Sequence, residues 1–341
     1  MDSLSQIALG AAVGVAVMGR RTAVWKAALW GAVAGTLPDL DVFIDHGDPI
    51  RNMVLHRAET HAPFWLTLFS LPFAALVARL SGEWPLWRRW WLAMWAALVT
   101  HPLLDGMTVY GTQLGLPFTN QPYGVGSVFI IDLLYTLPLL VGVGWALSAR
   151  NGSRAGRRGL VANALGLLLS TAYLGWGVWA QQQATAAARS ALAAQGIVAE
   201  RLLVTPAPLN TLLWRVVAVD GADFHEGFWS LLDGGRPLQF DRFARGTTLW
   251  PAAQAIDGVQ RIAAFSQGFY ALDVQGERLH ITDLRMGQQP TYTFRFAVAQ
   301  RQGDAWLPLP RPEQLAMRPD IGRAWPWLWR RALGQPLAPP R

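Results

Sequence analysis

Leu86-Trp-Arg-Arg-Trp-Trp-Leu-Ala-Met-Trp-Ala-Ala-Leu-Val-Thr-His-Pro-Leu-Leu104, with Asp105 next, is long and apolar enough to suggest a helix in lipid. About 20 such residues span a hydrocarbon core roughly 30 Å thick. The run nevertheless opens on Arg88 and Arg89 and closes on His101 and Asp105. Working outward, comparable apolar runs cover Leu4–Met18, Ala23–Phe43, Ala62–Ala78, Val128–Leu147 and Leu160–Ala180. The expected fold is therefore an α-helical polytopic membrane bundle of about six spans in residues 1–180. The first run lacks a basic segment before it and has Asp2 in its place, so it reads as a retained span and not a cleaved signal.

Composition agrees with a second solvent. Of 341 residues, 52% are apolar and 15% charged, where soluble domains carry about 25% charged. The absence of cysteine excludes a disulfide scaffold, a thiolate zinc site and a cysteine nucleophile. The net charge of +7 comes from an arginine-dominated set in which Lys26 is the one lysine. Codon bias explains that as well as a nucleic-acid partner does, so no nucleic acid is expected.

Charge placement orients the expected bundle. Most basic residues of the first half gather at Arg20, Arg21 and Lys26; at Arg79, Arg88 and Arg89; and at Arg150, Arg154, Arg157 and Arg158. These loops fall on one side of six alternating spans, which the positive-inside rule makes cytoplasmic. The N-terminus, loops 44–61 and 105–127 and everything beyond residue 181 then lie outside, in the periplasm of an inner-membrane protein. Eight of the nine acids in this half map to that outer side, Glu83 being the exception. So do His46, His56, His61 and His101.

Past residue 180 the composition changes. An Ala-rich segment reads as a linker helix within 181–199, and residues 200–341 as a small, mainly β (α+β) domain. Its expected strands are Ile197–Val204, Thr211–Val219, Phe228–Leu232, Phe269–Asp273, Arg278–Asp283 and Thr291–Val298. Asp220-Gly221, Asp233-Gly234-Gly235 and Gln275-Gly276 supply turn signals between them. The tail Trp325-Pro-Trp-Leu-Trp-Arg-Arg331 suits either an interfacial contact or domain core. His225 and His280 are isolated and read as ordinary surface or core residues.

Three short motifs carry the chemistry: Gly35-Thr-Leu-Pro-Asp39-Leu-Asp41, His56-Arg57-Ala-Glu59-Thr-His61 and Thr100-His101-Pro-Leu-Leu-Asp105. If the helix continues past Pro102, His101 and Asp105 at i and i+4 share a face. Carboxylate oxygens with imidazole nitrogens suit zinc, manganese or iron, and the number of donors allows one to three ions. Each motif also has a plainer role: capping carboxylates at a turn, exposed loop histidines, or a histidine bonded to a carbonyl. Their convergence on one side favours function. Asp132, an acid about one turn into an apolar run, is a functional candidate in its own right.

The chain resembles the inner-membrane metal-dependent hydrolase family typified by a LexA-regulated bacterial protein, otherwise known as domain of unknown function 457. The likeness rests on Met1-Asp-Ser-Leu-Ser-Gln-Ile-Ala-Leu-Gly10, Leu37-Pro-Asp-Leu-Asp41, His56-Arg-x-x-Thr-His61 and His101-Pro-Leu-Leu-Asp105. It continues through Thr108-Val-Tyr-Gly-Thr-Gln113, Pro117-Phe118 and Ile130-Ile-Asp-Leu-Leu-Tyr-Thr136. In the second half it includes Asn210-Thr-Leu-Leu-Trp-Arg-Val-Val217 and Thr282-Asp-Leu-Arg-Met-Gly287. The resemblance implies Asp39, Asp41, His56, His61, His101 and Asp105 as metal-site residues. Through distant kinship with zinc-dependent phospholipase C, it also implies phosphoester chemistry. Two departures stand out: Gln6 replaces the family's usual histidine, and Ala58-Glu59 and Ala62 replace Gly-x and Ser around Thr60-His61.

The leading expectation is a membrane-bound hydrolase whose metal, zinc above all, activates water at the periplasmic membrane surface. Arg57 is the phosphate clamp, Thr108 and Tyr110 orient the substrate, and the substrate is a membrane lipid or another phosphoester. The alternative is a membrane-anchored binding or scaffold protein with a structural metal, its β domain holding an unidentified protein partner. A transporter using Asp132 needs a further acid or broken helix at mid-bilayer, and the sequence offers no convincing one.

Overall fold

A computed structural model describes residues 1–148, 154–315 and 317–341. Arg150, assigned above to a basic loop, lies outside the described residues. The chain divides into two compact units: Met1–Phe43 with Arg57–Val178, and Ile44–His56 with Trp179–Arg341. Helices α1 (Ser3–Met18), α2 (Val24–Thr36), α3 (Pro49–Leu55), α4 (Pro63–Leu80), α5 (Trp87–Gly106), α6 (Leu133–Ser148) and α7 (Arg154–Ala194) account for most of the first half. Of these, α3 belongs to the second unit, and α7 runs from the first unit into the second.

Within the helical unit, α1 and α2 pack through backbone contact. Gly10 and Gly14 face Gly31 and Gly35, and a Cβ added at Gly31 would lie 2.2 Å from the Gly10 carbonyl oxygen. Small residues four apart let two helices approach this closely. Asp2 starts α1 by accepting hydrogen bonds from the Leu4 and Ser5 amides. The antiparallel course of α1, α2, α4 and α5 sorts the unit into two ends. At one, Glu83 accepts from Thr22 (2.7 Å), Lys26 (3.1 Å) and the Trp90 indole (3.1 Å). Arg89 there donates to the Val17 carbonyl, 3.2 Å away. At the other lie the start of α1, the end of α2, the start of α4 and the end of α5, and with them the polar motifs.

The six-span bundle is not what the chain forms. Among the described residues, two helices are long and apolar enough to cross a membrane, Pro63–Leu80 and Gly156–Ala194. The run Ala23–Phe43 breaks after 13 helical residues into a 3-10 turn, Leu37–Phe43. Pro38 accounts for the break, because it has no amide to continue the ladder. At 1.5 Å per residue, α2 is only about 20 Å long. Helices α1 and α6 have 16 residues each, and the run expected from Val128 becomes helical only at Leu133. Helix α5 has 20 residues, but its arginines, tryptophans and polar last turn keep it from being apolar enough to count with these two. In the other direction, the expected last span and the separate linker helix are one continuous 41-residue helix, α7.

The second unit holds two four-stranded antiparallel sheets in a sandwich-like arrangement. One has the order β1 (Arg201–Pro206), β2 (Leu213–Asp220), β3 (Asp223–Ser230), β4 (Phe240–Ala244). The other combines β5 (Tyr270–Gln275), β6 (Arg278–Asp283), β9 (Arg295–Gln302) and β10 (Ala305–Gln314) in the order β10-β9-β6-β5. Strands β7 (Gly287–Gln288) and β8 (Thr291–Tyr292) form a small hairpin. Helices α8 (Trp250–Ala253), α9 (Asp257–Phe265) and α10 (Ile321–Ala332) complete the unit. Gly221 (φ 54°) and Gly276 (φ 56°) turn the β2–β3 and β5–β6 hairpins in the left-handed region where glycine is least strained. The alanines of the last turns of α7 (Ala180, Ala184, Ala188, Ala191) recur on one face and pack on Val204, Trp214, Val216 and Leu238. Strands β4, β7 and β10 have no counterpart among the expected runs.

Candidate metal centre

Pro102 does not end α5, which continues to Gly106. His101 and Asp105 therefore project from one face, with His101 Nε2 3.3 Å from Asp105 Oδ2. Asp39 comes from the 3-10 turn after α2, and His61 from a short 3-10 turn, Glu59–His61, that leads into α4. The ligand atoms of Asp39, His61, His101 and Asp105 all lie within 4.8 Å of one another. His61 Nε2 is 3.1 Å from His101 Nε2. It is 3.4 Å from both Asp39 Oδ1 and Asp105 Oδ2, and His101 Nε2 is 3.4 Å from Asp39 Oδ1.

These separations fit a tetrahedral ion. Metal–ligand bonds of about 2.0–2.2 Å place neighbouring donors roughly 3.3–3.5 Å apart, and five of the six donor pairs lie at 3.1–3.4 Å. The hydrogen bonds behind the ligands fix the imidazoles for the same task. His101 Nδ1 is 2.6 Å from the Gly35 carbonyl, which can only accept, so Nδ1 carries the proton. Thr60 Oγ1 donates to Asp41 Oδ2 (2.7 Å) and so accepts from His61 Nδ1 (2.9 Å). Both Nε2 lone pairs then converge on two carboxylate oxygens, the supported imidazole arrangement that metal sites use. Asp105 Oδ2, Arg57 Nε and Gln6 Oε1 are buried without a hydrogen-bond partner. Such atoms are costly unless something else satisfies them.

Asp39 is the partly open member: its side chain is 17% exposed, while those of His61, His101 and Asp105 are fully buried. Burial pushes the Asp39 carboxyl up. The imidazoles of His101 and His61 outweigh that and hold it well below the ordinary carboxylate range. Asp105 also meets the α-amino group of Met1.

The remaining sequence candidates divide. Asp41 stands behind the cluster, because residues two apart in a 3-10 turn point in different directions. Its Oδ2 accepts from the Arg57 amide (3.1 Å) and from Thr60. Arg57 has a left-handed backbone (φ 66°), uncommon for a non-glycine residue and held by bonds at both peptide groups. Its guanidinium reaches Asp105 Oδ2 (3.3 Å) and Thr108 Oγ1 (3.2 Å) and lies 4.9 Å from the centre of the Tyr110 ring. Thr108 in turn donates to the Asp105 carbonyl (2.7 Å). His56 caps α3 and is not one of the four clustered donors. Asp132 is not among them either: it accepts from the Leu134 amide (3.1 Å) and the Tyr173 hydroxyl (2.9 Å), as a capping carboxylate does. Glu59 is exposed and does not join the group.

Gln6 is buried and donates its amide to Asp105 Oδ1 (3.0 Å) and to the His101 carbonyl (3.3 Å). Where the resemblance has a histidine, Gln6 positions a ligand and is not one itself. The contributions of the Gly35 carbonyl, the Thr60 hydroxyl and the Met1 amino group were missed. The first two stand beside Asp39 and His61 in the motifs, but nothing in their residue types announces the role.

A sequence profile described as YdjM inner membrane protein matches residues 1–184, the stretch that contains all four donors as well as Arg57, Thr108 and Asp132. Neither the curated proteins nor the solved structures include a match. With more than half of its length matched, the chain belongs to the YdjM inner membrane protein family.

Proposed function

We propose that this chain is a membrane-bound metal-dependent hydrolase acting on a phosphoester at the membrane surface. The observation that carries the reading is the four-donor cluster of Asp39, His61, His101 and Asp105, with near-tetrahedral spacing and one donor open to solvent. Four protein donors fill a tetrahedral shell, so water or substrate would reach an ion there as a fifth ligand or by displacing Asp39, the one donor partly open to solvent. A divalent ion bound there would supply Lewis acidity and a nucleophile at neutral pH; zinc, manganese and iron all suit the donor set.

The chain's own residues do the rest. Gly35, Thr60 and Asp41 hold the imidazoles so that Nε2 faces inward. Gln6 and Thr108 steady Asp105. Arg57, locked between Asp105, Thr108 and Tyr110, offers a guanidinium whose geometry matches phosphate oxygens. Asp132 takes no catalytic part in this scheme.

Two further features support a lipid-like substrate on the periplasmic side. The turn bearing Asp39 and Asp41 also presents Leu40, Val42 and Phe43 to the outside, Phe43 at 83% exposure. Phe118, 80% exposed, rests edge-on against Phe64, three residues after His61. An apolar rim around a polar centre matches an amphiphile. Lys26, Arg79 and Arg89 belong to the opposite end of the unit, the end that the positive-inside rule assigns to the cytoplasm.

The test is metal content by plasma mass spectrometry on detergent-purified protein. Short-chain phospholipid and phosphodiester hydrolysis is assayed on the same samples. About one zinc, manganese or iron per chain is expected, lost together with hydrolysis in His101→Ala and Asp39→Ala. Folded wild-type protein that takes up no ion overturns the reading. Metal retention with no hydrolysis of any phosphoester leaves a structural metal site and also defeats it.

A further inference from the structure

Helix α10 buries one apolar face and leaves Trp325 and Leu333 exposed beside it. Trp327, Leu328 and Ala332 are buried with Ala207, Leu213 and Phe228. Arg331 clamps the helix to the sheet, its guanidinium reaching both carboxylate oxygens of Asp233 (2.6 and 2.8 Å) and the Phe228 carbonyl (2.7 Å). The Ser230 hydroxyl donates to the Ala332 carbonyl (2.6 Å). Trp327 meets Phe228 edge-on at 4.9 Å. The helix is therefore rigid before it meets anything else.

Beside that face, Trp325, Trp329 and Leu333 recur every four residues and so form a stripe, with Trp329 half-buried where it also packs against the core. Trp325 is 50% exposed and Leu333 65%. The two indoles pack edge-on with ring centres 5.7 Å apart. Arg323 and Arg330, both exposed, border the stripe, and Arg318 is exposed just before the helix. The lone acid from residue 314 onward is Asp320, which caps the helix by accepting from the Arg323 amide.

Tryptophan and leucine on one face, with arginine at its edge, are the marks of a helix lying in a bilayer interface. Indoles favour headgroup depth because one edge is apolar and the ring N–H is polar. The one-signed charge selects an anionic surface, and membership of an inner-membrane family brings the chain to a bilayer. At 12 residues, α10 is too short to cross that bilayer and long enough to lie on it.

We propose that the outward face of α10 is a membrane-interface site for anionic phospholipid. Trp325 and Leu333 enter the boundary between headgroups and acyl chains, Trp329 backs Trp325 from the core side, and Arg323 and Arg330 pair with lipid phosphates. The clamp to Asp233 holds this face ready, so binding costs little ordering of the helix.

The absence of cysteine makes the test clean. Full-length Trp325→Cys, Leu333→Cys and a reference, Asp304→Cys in the exposed β9–β10 turn, are spin-labelled in nanodiscs of phosphatidylglycerol or phosphatidylcholine. Accessibility to lipid-soluble oxygen is compared with accessibility to a water-soluble nickel chelate. In phosphatidylglycerol, the label at residue 325 or 333 should lose roughly tenfold in nickel accessibility against Asp304→Cys while keeping oxygen accessibility. The loss should shrink in phosphatidylcholine and in Arg323→Glu/Arg330→Glu. The Leu333→Cys variant keeps both indoles, so the outcome does not depend on removing Trp325. Labels as water-accessible as the reference in both lipids overturn the proposal. So do labels shielded from both reagents, which would mean that protein covers the face. Equal insertion in the two lipids overturns the assignment to anionic headgroups.

Discussion

The two ends of the helical unit are both polar clusters built from the same four helices, and they differ in how completely their atoms are satisfied. At the basic end, Glu83 receives hydrogen bonds from Thr22, Lys26 and Trp90, with both oxygens used. At the other end, two carboxylates and two imidazoles crowd together while Asp105 Oδ2 and Gln6 Oε1 stay without hydrogen bonds. The first is a tie between helix ends. The second pairs Asp105 with Arg57 and the Met1 amino group, yet leaves Asp39 and the two imidazole Nε2 atoms turned on one another, an arrangement that a bound cation would satisfy. A buried polar network tells its purpose by what it leaves unpaired.

The comparison breaks most visibly at Asp105. Asp105→Ala leaves the Arg57 guanidinium buried beside no carboxylate, and removing one partner of a buried pair costs about 3–5 kcal/mol. Thermal unfolding in detergent should show that loss, and mass spectrometry should find no bound metal. Gly31→Ala comes next. Its added Cβ collides with the Gly10 carbonyl, and overpacking of this kind costs about 1–3 kcal/mol. Because α2 also carries the Gly35 carbonyl that orients His101, metal affinity should fall together with melting temperature.

A smaller and more selective effect is expected from Thr60→Val, which removes the link between His61 and Asp41. Loss of such outer partners lowers metal affinity about 10–100-fold, so competition with a chelator should reveal it while the melting temperature barely moves. Glu83→Gln should do the reverse: metal content unchanged, stability lower by about 1 kcal/mol. Burial raises the Glu83 carboxyl, but bonds from Thr22, Lys26 and Trp90 outweigh that and lower it overall. Its contribution is therefore full above the unfolded carboxyl value of about 4.3 and fades as pH falls through the lower folded value. The melting difference between wild type and Glu83→Gln should close on acidification. A Glu83→Gln protein that loses metal would abolish the contrast between the ends.

What could be read along the chain was what short-range periodicity encodes. His101 and Asp105 share a face because a helix repeats every 3.6 residues, and Pro102 inside α5 did not alter that. The Asp-Gly and Gln-Gly turns marked real hairpins for a similar reason: left-handed backbone favours glycine. Counting apolar runs failed where a run and a helix differ in length. Pro38 ends α2 early, and Gln181–Gln183 end the last apolar run without ending the helix, because glutamine and the alanines that follow are good helix formers.

By itself, then, the sequence determined that Asp39, His61, His101 and Asp105 sit in three short polar motifs, that a β-rich region follows, and that cysteine takes no part. These are matters of composition and local order. Only the tertiary structure decided that Asp39 faces the centre while Asp41 stands behind His61, and that Gln6 braces Asp105. It alone separated Asp132 and His56 from the four donors. Such distinctions depend on the direction of a side chain after a tight turn and on the close approach of α1 to α2. Both are set by packing between residues far apart in the chain, which no local pattern records.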